Sequence, residues 1–289
     1  MASHMNPHHQ YRAYLNIAVK AARNAGKLIV RNFENADTVQ VSEKNKDDLV
    51  TNIDRECQRT IAETILHFYP DDRITGEENS ANTANTDSER EWIVDPIDGT
   101  TNFVKGIPHV AVSIGVKFRG ETVAGCVYDP ILDELFTAEK GSGAQLNDRK
   151  IHVSNRQSLN GTIIAVSYPH RKRQYLDDYR GMMNRVFDRC ADLRRMGTAS
   201  LDLAYVAAGR VDGYFEACLY PWDFAAGELL VREAGGFVTD FSGGKDAFYK
   251  SGAIVCGSPH VHKALLDCIA PDLKSFTQKL EEELEAKEK

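Results

Sequence analysis

The residues of this chain best suited to chemistry gather first at Trp92-Ile93-Val94-Asp95-Pro96-Ile97-Asp98-Gly99-Thr100-Thr101-Asn102-Phe103. There an apolar run ends in two carboxylates three positions apart. Pro96 removes an N–H and fixes φ, so the run cannot continue as a plain ladder. Gly99 can take a backbone geometry that leaves bare N–H groups at the start of a short helix. A helix start of that kind attracts anions, phosphate above all. Two acids beside an anion-seeking backbone contradict one another unless a divalent cation lies between them. One reading of the stretch is therefore a metal-dependent phosphate site. The other is a strand entering an Asp-Gly turn with both acids solvated.

Four more acids sit at similar breaks: Asp54, Glu77, Glu78 and Asp223. Taken singly, each has a plain role. Asp54 suits the first turn of a helix, where its charge meets the dipole. Glu77 and Glu78 end a short strand and would be solvated, and Asp223 is a candidate N-cap. Should Glu77, Asp95, Asp98 and Asp223 converge, each pair at ~4 Å would repel by about 4 kcal/mol at an effective dielectric near 20. Oxygen donors with no clustered His or Cys select a hard ion, Mg²⁺ or Mn²⁺. Two such ions ~3.5–4 Å apart can activate a water and steady a leaving oxygen. Phosphate monoester hydrolysis, which needs up to ~10²¹-fold acceleration, is the reaction with that demand.

Composition narrows the alternatives. At 289 residues, 42% hydrophobic and 27% charged, the chain has the make-up of a globular protein with ample core. No apolar run approaches the ~20 residues that span a bilayer. Residues 1–5 read as a cloning remnant rather than a signal peptide. The six cysteines are scattered without a C-x-x-C pair. That pattern suits reduced thiols and a cytoplasmic location, and argues against a disulfide frame or a zinc site. A net charge of −7 is wrong for generic nucleic-acid binding. Arg171-Lys172-Arg173 and Arg194-Arg195 are local basic spots that read as solvated faces.

The elements that must position the acids follow from periodicity. Helical spacing of Leu15, Ala18, Ala21, Ala22, Ala25 and Ile29 predicts a long amphipathic helix over 11–33. A polar, mobile turn is expected over 42–48, then a helix through Leu66 that carries Asp54. Strands are expected at 73–75 and 92–98, separated by an exposed loop over 79–89. If those strands are neighbours, Glu77 and Asp95 emerge at one edge. Residues 110–153 read as successive antiparallel strands, with a turn at Gly141-Ser142-Gly143. A buried-type strand over 162–167 opens the second half. It continues with a helix over 174–187, strands near 190–193 and at 214–216, and a helix from Leu201 to Ala208. A helix opening at Pro221-Trp222-Asp223 follows, then strands over 238–241 and 254–256. The last helix is expected over 261–269, with a charged tail to Lys289 that frays in solvent.

Residues 92–103, Gly76-Glu77-Glu78, Asp48-Leu49-Val50-Thr51-Asn52-Ile53-Asp54 and 222–236 together resemble the inositol monophosphatase family, nearest its bacterial SuhB type. The likeness runs from about Leu15 to Leu266. It implies an α/β fold, a layered αβαβα sandwich in one domain over 6–289. Two packed halves, about 6–160 and 161–270, would precede the tail 271–289. It also implies a homodimer, lithium sensitivity and Mg²⁺-dependent hydrolysis of myo-inositol 1-phosphate and related small monoesters. Within the superfamily, a fructose bisphosphatase or a nucleotide 3′-phosphatase is the alternative. By the same resemblance, Glu77, Asp95 and the carbonyl of Ile97 would hold one Mg²⁺. Asp95, Asp98 and Asp223 would hold a second, with a weaker third ion beside Glu77 and Mn²⁺ as a substitute. Thr100, bonded to Asp54, would position the attacking water. The N–H groups of Gly99 and Thr100 would bind phosphate. Gly197, Thr198, Ala199 and Glu216 would line the polyol side. Glu78 would support the metal ligands, and Lys44 would stand beside the metals. SuhB-type proteins are further associated with ribosomal RNA antitermination, which implies Nus factors and RNA polymerase as partners. Arg171–Arg173 and Arg194-Arg195 would then be the contact candidates.

Overall fold

In the long helix α1 (Pro7–Phe33), Leu15, Ala18, Ala21, Ala22, Ala25 and Ile29 recur at helical spacing and are all buried. The computed structural model describes residues 7–33, 40–45, 48–78, 87–169 and 172–288. The remnant at 1–5, most of the loop at 79–89, Arg171 and the side chain of Lys44 lie outside the described residues. A two-stranded antiparallel sheet, β1 (Val41–Asn45) and β2 (Asp48–Thr51), leads into α2 (Asn52–Phe68). The polar turn expected over 42–48 is thus largely a hairpin, because alternate cross-strand pairing satisfies a backbone that its polar side chains cannot.

Seven strands form the first main sheet: β3 (Arg73–Gly76), β4 (Arg90–Asp98), β5 (Ala111–Phe118), β6 (Glu121–Asp129), β7 (Glu134–Glu139), β8 (Gly143–Leu146) and β9 (Arg149–Ile151). They lie in sequence order, and only the β3–β4 pair is parallel. The short helix α3 (Thr100–Val104) joins β4 to β5. The second half supplies β10 (Ile163–Val166), α4 (Leu176–Phe187), β11 (Asp192–Arg194), α5 (Ala199–Ala207), β12 (Gly213–Glu216), α6 (Pro221–Glu233) and β13 (Phe237–Thr239). It closes with α7 (Phe248–Ser251), β14 (Ile254–Gly257) and α8 (Pro259–Glu288). Its five-stranded sheet runs β11-β10-β12-β14-β13.

The helices and sheets stack in five layers. Helices α1 and α2 cover one face of the large sheet, and α5 and α6 lie between the two sheets. Helices α4 and α8 cover the far face of the small sheet. This is the expected αβαβα sandwich. The middle layer is held close by absent side chains. A Cβ at Gly115 would meet Ala225 Cβ at 2.8 Å, and one at Gly125 would meet the Ala226 carbonyl at 2.9 Å. Helix α6 therefore rests almost backbone to backbone on β5 and β6, so its N-terminus is fixed against the strand beside β4.

The tail departs from expectation. Helix α8 runs to Glu288 through Pro271, instead of ending near 269. Phe276 is buried, its ring tilted against Tyr175 and Phe241 at centroid distances of 5.0 and 5.3 Å. Glu283 accepts hydrogen bonds from Lys172 Nζ (2.7 Å), Gln174 Nε2 (3.2 Å) and the Tyr175 hydroxyl (2.8 Å). A charged composition concealed the apolar contacts of Leu273, Phe276 and Leu280 and the paired carboxylates Asp272 and Glu283. Phe276→Ala should lower stability by about 3 kcal/mol or more in urea unfolding. Phe187→Ala, at an exposed position, should stay within about 0.5 kcal/mol. Equal effects from the two would mean that the tail does not dock.

Candidate active site

Strand β4 is buried from Trp92 onward and carries Asp95 and Asp98 at its end, 1% and 8% exposed. It pairs with β5 up to Asp95 opposite Ser113, and the register then shifts before Asp98 reaches Ala111. Pro96 and Ile97 occupy that irregularity, which turns both carboxylates toward the same end of the sheet. On the other side of β4, Gly76 pairs with Val94, and the Glu77 N–H bonds the Val94 carbonyl at 3.1 Å. Glu77 thus follows its strand out beside Asp95, as the parallel pairing requires.

Gly99 caps α3 with φ 91° and ψ 36°. A Cβ there would meet Thr198 Oγ1 at 2.6 Å and the His109 carbonyl at 3.0 Å, so both conformation and space demand glycine. The Thr100 hydroxyl stands 3.1 Å from both Asp54 Oδ1 and the Ile97 carbonyl. Its single proton serves one of them at a time. Asp54 is the third residue of α2, where Thr51 N–H reaches its Oδ2 at 2.8 Å in a capping box. Its helix-start role and its contact with Thr100 coexist, because its two oxygens divide the work.

The second half closes the site from above. Ser200 N–H, at the start of α5, donates to Asp98 Oδ2 at 2.7 Å. The Ser113 hydroxyl, on the residue opposite Asp95, donates to the Trp222 carbonyl at 3.2 Å, which brings Asp223 to the same place. Asp223 is not the N-cap expected from sequence. Tyr220 is the cap, and Asp223 sits three residues later, accepting the Tyr220 N–H at 2.8 Å. Asn102 Nδ2 lies within reach of the carbonyls of His109 (2.9 Å) and Met196 (3.0 Å) and of Thr198 Oγ1 (3.3 Å). It ties the Gly197-Thr198-Ala199 turn to the loop after β4. Glu216, on β12, accepts the Tyr214 hydroxyl at 2.5 Å. All the acids expected to converge, together with Gly99, Thr100 and residues 197–199, therefore share one region. Four supporting residues escaped sequence reasoning: Asn102, Ser113, Ser200 and His109.

The profile of the inositol monophosphatase family matches residues 10–278. The chain belongs to that family. It is 52% identical over 252 residues to the Nus factor SuhB of Escherichia coli K12, covering 87% of this chain and 94% of that one. The crystal structure of the extragenic suppressor protein suhB from Bartonella henselae superposes with a TM-score of 0.86 at 44% identity, covering 89% and 98% of the two chains. An inositol monophosphatase from Anabaena gives 0.80 at 33% identity, covering 90% and 96%. Family membership implies phosphatase activity at the level of the superfamily, and the family is generally Mg²⁺-dependent.

The electrostatics fit a cation. Burial holds Asp95 well above the usual carboxylate range, and the charges of Glu77, Asp98, Asp223 and Asp54 push it further. Burial raises Asp98 to about 6, against the opposing pull of the Ser200 bond. Burial also raises Asp54 to about 6, with Thr51 resisting and Glu78 and Glu77 adding to the rise. The buried Glu216 is raised to about 7. Among the described residues, no three carboxylate, imidazole or thiol side chains stand close enough to close on one ion unaided. An ion that retains part of its water shell needs fewer protein ligands. The donor set is all oxygen, which suits Mg²⁺ or Mn²⁺ over zinc.

In the metal-free protein, these raised acids bind protons more readily when folded than when unfolded. The stability they confer is complete below about pH 4 and is lost as pH rises through about 6 to 7. Half-buried His109 and buried His262, whose pKa values are lowered by desolvation, act in the opposite sense. Substituting one acid isolates the effect. In chelator, Asp95→Asn should melt above the parent at pH 8, and the gap should narrow toward pH 5. A gap that widens on acidification would contradict the assigned crowding.

Proposed function

We propose that the protein hydrolyses myo-inositol 1-phosphate and related small phosphate monoesters in a Mg²⁺-dependent reaction. The observation that carries this reading is that the charges of Asp98 and Asp223, drawn from both halves of the chain, act on the buried Asp95 beside the glycine-capped turn at Gly99. Glu77, Asp95 and the Ile97 carbonyl would hold one Mg²⁺, and Asp95, Asp98 and Asp223 a second, with a third by Glu77. When bound, the ions neutralise the carboxylates and supply Lewis-acid activation of water and of the leaving oxygen.

The chain's own groups do the rest. Gly99 and Thr100 present backbone N–H groups to the phosphate, and Gly99 leaves no side chain in the way. Thr100, bonded to Asp54 at 3.1 Å, keeps a lone pair with which to orient the attacking water. Asp54 with its raised pKa can take a proton through that hydroxyl. Asp98 is steadied by Ser200, so its spare oxygen keeps a fixed direction. Glu216, anchored by Tyr214, faces the polyol side with Gly197, Thr198 and Ala199 and accepts from ring hydroxyls.

The 52% identity to a protein named Nus factor SuhB favours a second reading, in which the chain also binds Nus factors and RNA polymerase. Exposed Arg194 and Arg195 are its candidate contacts, and a homodimer is the proposed assembly.

Asp98→Asn and Asp223→Asn should each lower kcat by about 10³-fold or more at saturating Mg²⁺, with far-UV circular dichroism unchanged. Full turnover in either would refute the ligand assignment. Thr100→Ala should depress kcat and leave KM near the parent value, whereas an effect on KM alone would refute its water-orienting role. On a substrate panel, inositol 1-phosphate should outrun fructose 1,6-bisphosphate and nucleoside 3′-phosphates in kcat/KM. Pull-down of Nus factors should survive Asp95→Asn and be lost when Arg194 and Arg195 become Gln. Loss with Asp95→Asn alone would tie binding to the catalytic site instead.

A further inference from the structure

Helix α6 has two ends, and only the first serves the site described above. At its C-terminal half lies a separate cavity of about 540 Å³, within the range that holds small ligands. From Asp223 to Glu233 the helix advances about 15 Å, so the two regions are distinct. The cavity is walled by α6, by the β5–β6 hairpin and by α7 with the residues before it.

Its charged groups are unevenly matched. Every carboxylate in the lining has a partner on the protein. Glu228 binds Arg232 at 2.6 Å, and Asp246 binds the same guanidinium at 2.6 Å. Glu121 pairs with Lys140, and Glu233 accepts the N–H groups of Gly141 and Gly143 at 2.9 Å each. The guanidinium of Arg119 is taken by Glu89. Two ammonium groups remain. Lys117 is half-buried, with Nζ 3.3 Å from the centroid of the Tyr249 ring, and no described carboxylate lies in ion-pair range. Lys245 is exposed at the rim and likewise has no described ion pair.

We propose that this cavity is a binding site for a small phosphate-bearing metabolite whose dianion is met by Lys117 and Lys245. Two ammonium groups with no described ion pair match a dianion better than a monocarboxylate, and the cavity's volume leaves room for a small carbon skeleton beside it. A partly desolvated ammonium above an aromatic face pays for its burial when an anion joins it. Burial lowers the Lys117 pKa against the pull of Glu91, Glu228 and Asp246, none of which comes within ion-pair range. The site is independent of the hydrolytic reading, since no residue of that machinery lines it.

The test is a titration of the full-length protein in chelator, so that the acids of the catalytic region repel anions. The probes are inorganic phosphate and glycerol 1-phosphate, followed by amide chemical shifts. Saturable shifts at Gly120 and Thr122 are expected for both probes, stronger for the ester. Lys117→Gln should weaken binding about tenfold. Lys245→Gln, at an exposed position that folding tolerates, should weaken it less, and Arg119→Gln should leave it within about twofold. Binding of free phosphate with no gain from the ester would overturn the metabolite assignment. Shifts confined to Gly99 and Thr100, or binding indifferent to both lysine substitutions, would overturn the site.

Discussion

Repulsion among buried carboxylates is the constraint that the remainder of this structure answers. Asp95 is enclosed with the charges of four other acids acting on it, an arrangement that costs stability until something positive arrives. Such a cluster persists only where its neighbours leave it no escape. The β4 irregularity at Pro96, the Ser200 N–H on Asp98 and the capping boxes around Asp54 and Asp223 are those neighbours. Each holds at least one carboxylate oxygen in place.

The capping boxes show how one residue carries a structural and a chemical duty together. Asp54 and Asp223 each occupy the third position of a helix and accept the cap N–H with a single oxygen. Near a helix N-terminus a negative charge is favoured, which offsets part of what crowding costs. The same economy appears at Gly99, where the missing side chain makes room at once for Thr198 and for the left-handed turn.

Most of the acidic site was legible because each acid sits where an apolar run breaks, and such breaks mark strand ends and helix starts in one dimension. Family resemblance then joined positions that periodicity left separate. The neutral supports were not legible. Asn102, Ser113 and Ser200 are common polar residues whose meaning depends on which backbone groups the other half brings near. The tail was misread for the related reason that composition averages over positions. Phe276 and Glu283 anchor a helix whose other residues look solvent-bound. Residues 41–45 show the limit from the opposite side, since a short polar strand that pairs with β2 has no apolar alternation to detect.

Ser200 and Asp98 belong to different halves of the chain, and their 2.7 Å bond closes the seam between the two sheets. Ser113 and Trp222 do the same beside Asp95. Asn102 and Thr198 add bonds across the same seam, so the two halves meet as jaws held by several small polar contacts. The carboxylates that crowd one another are thus held by the same joint that unites the two sheets, so loosening the joint and relieving the crowding are one event.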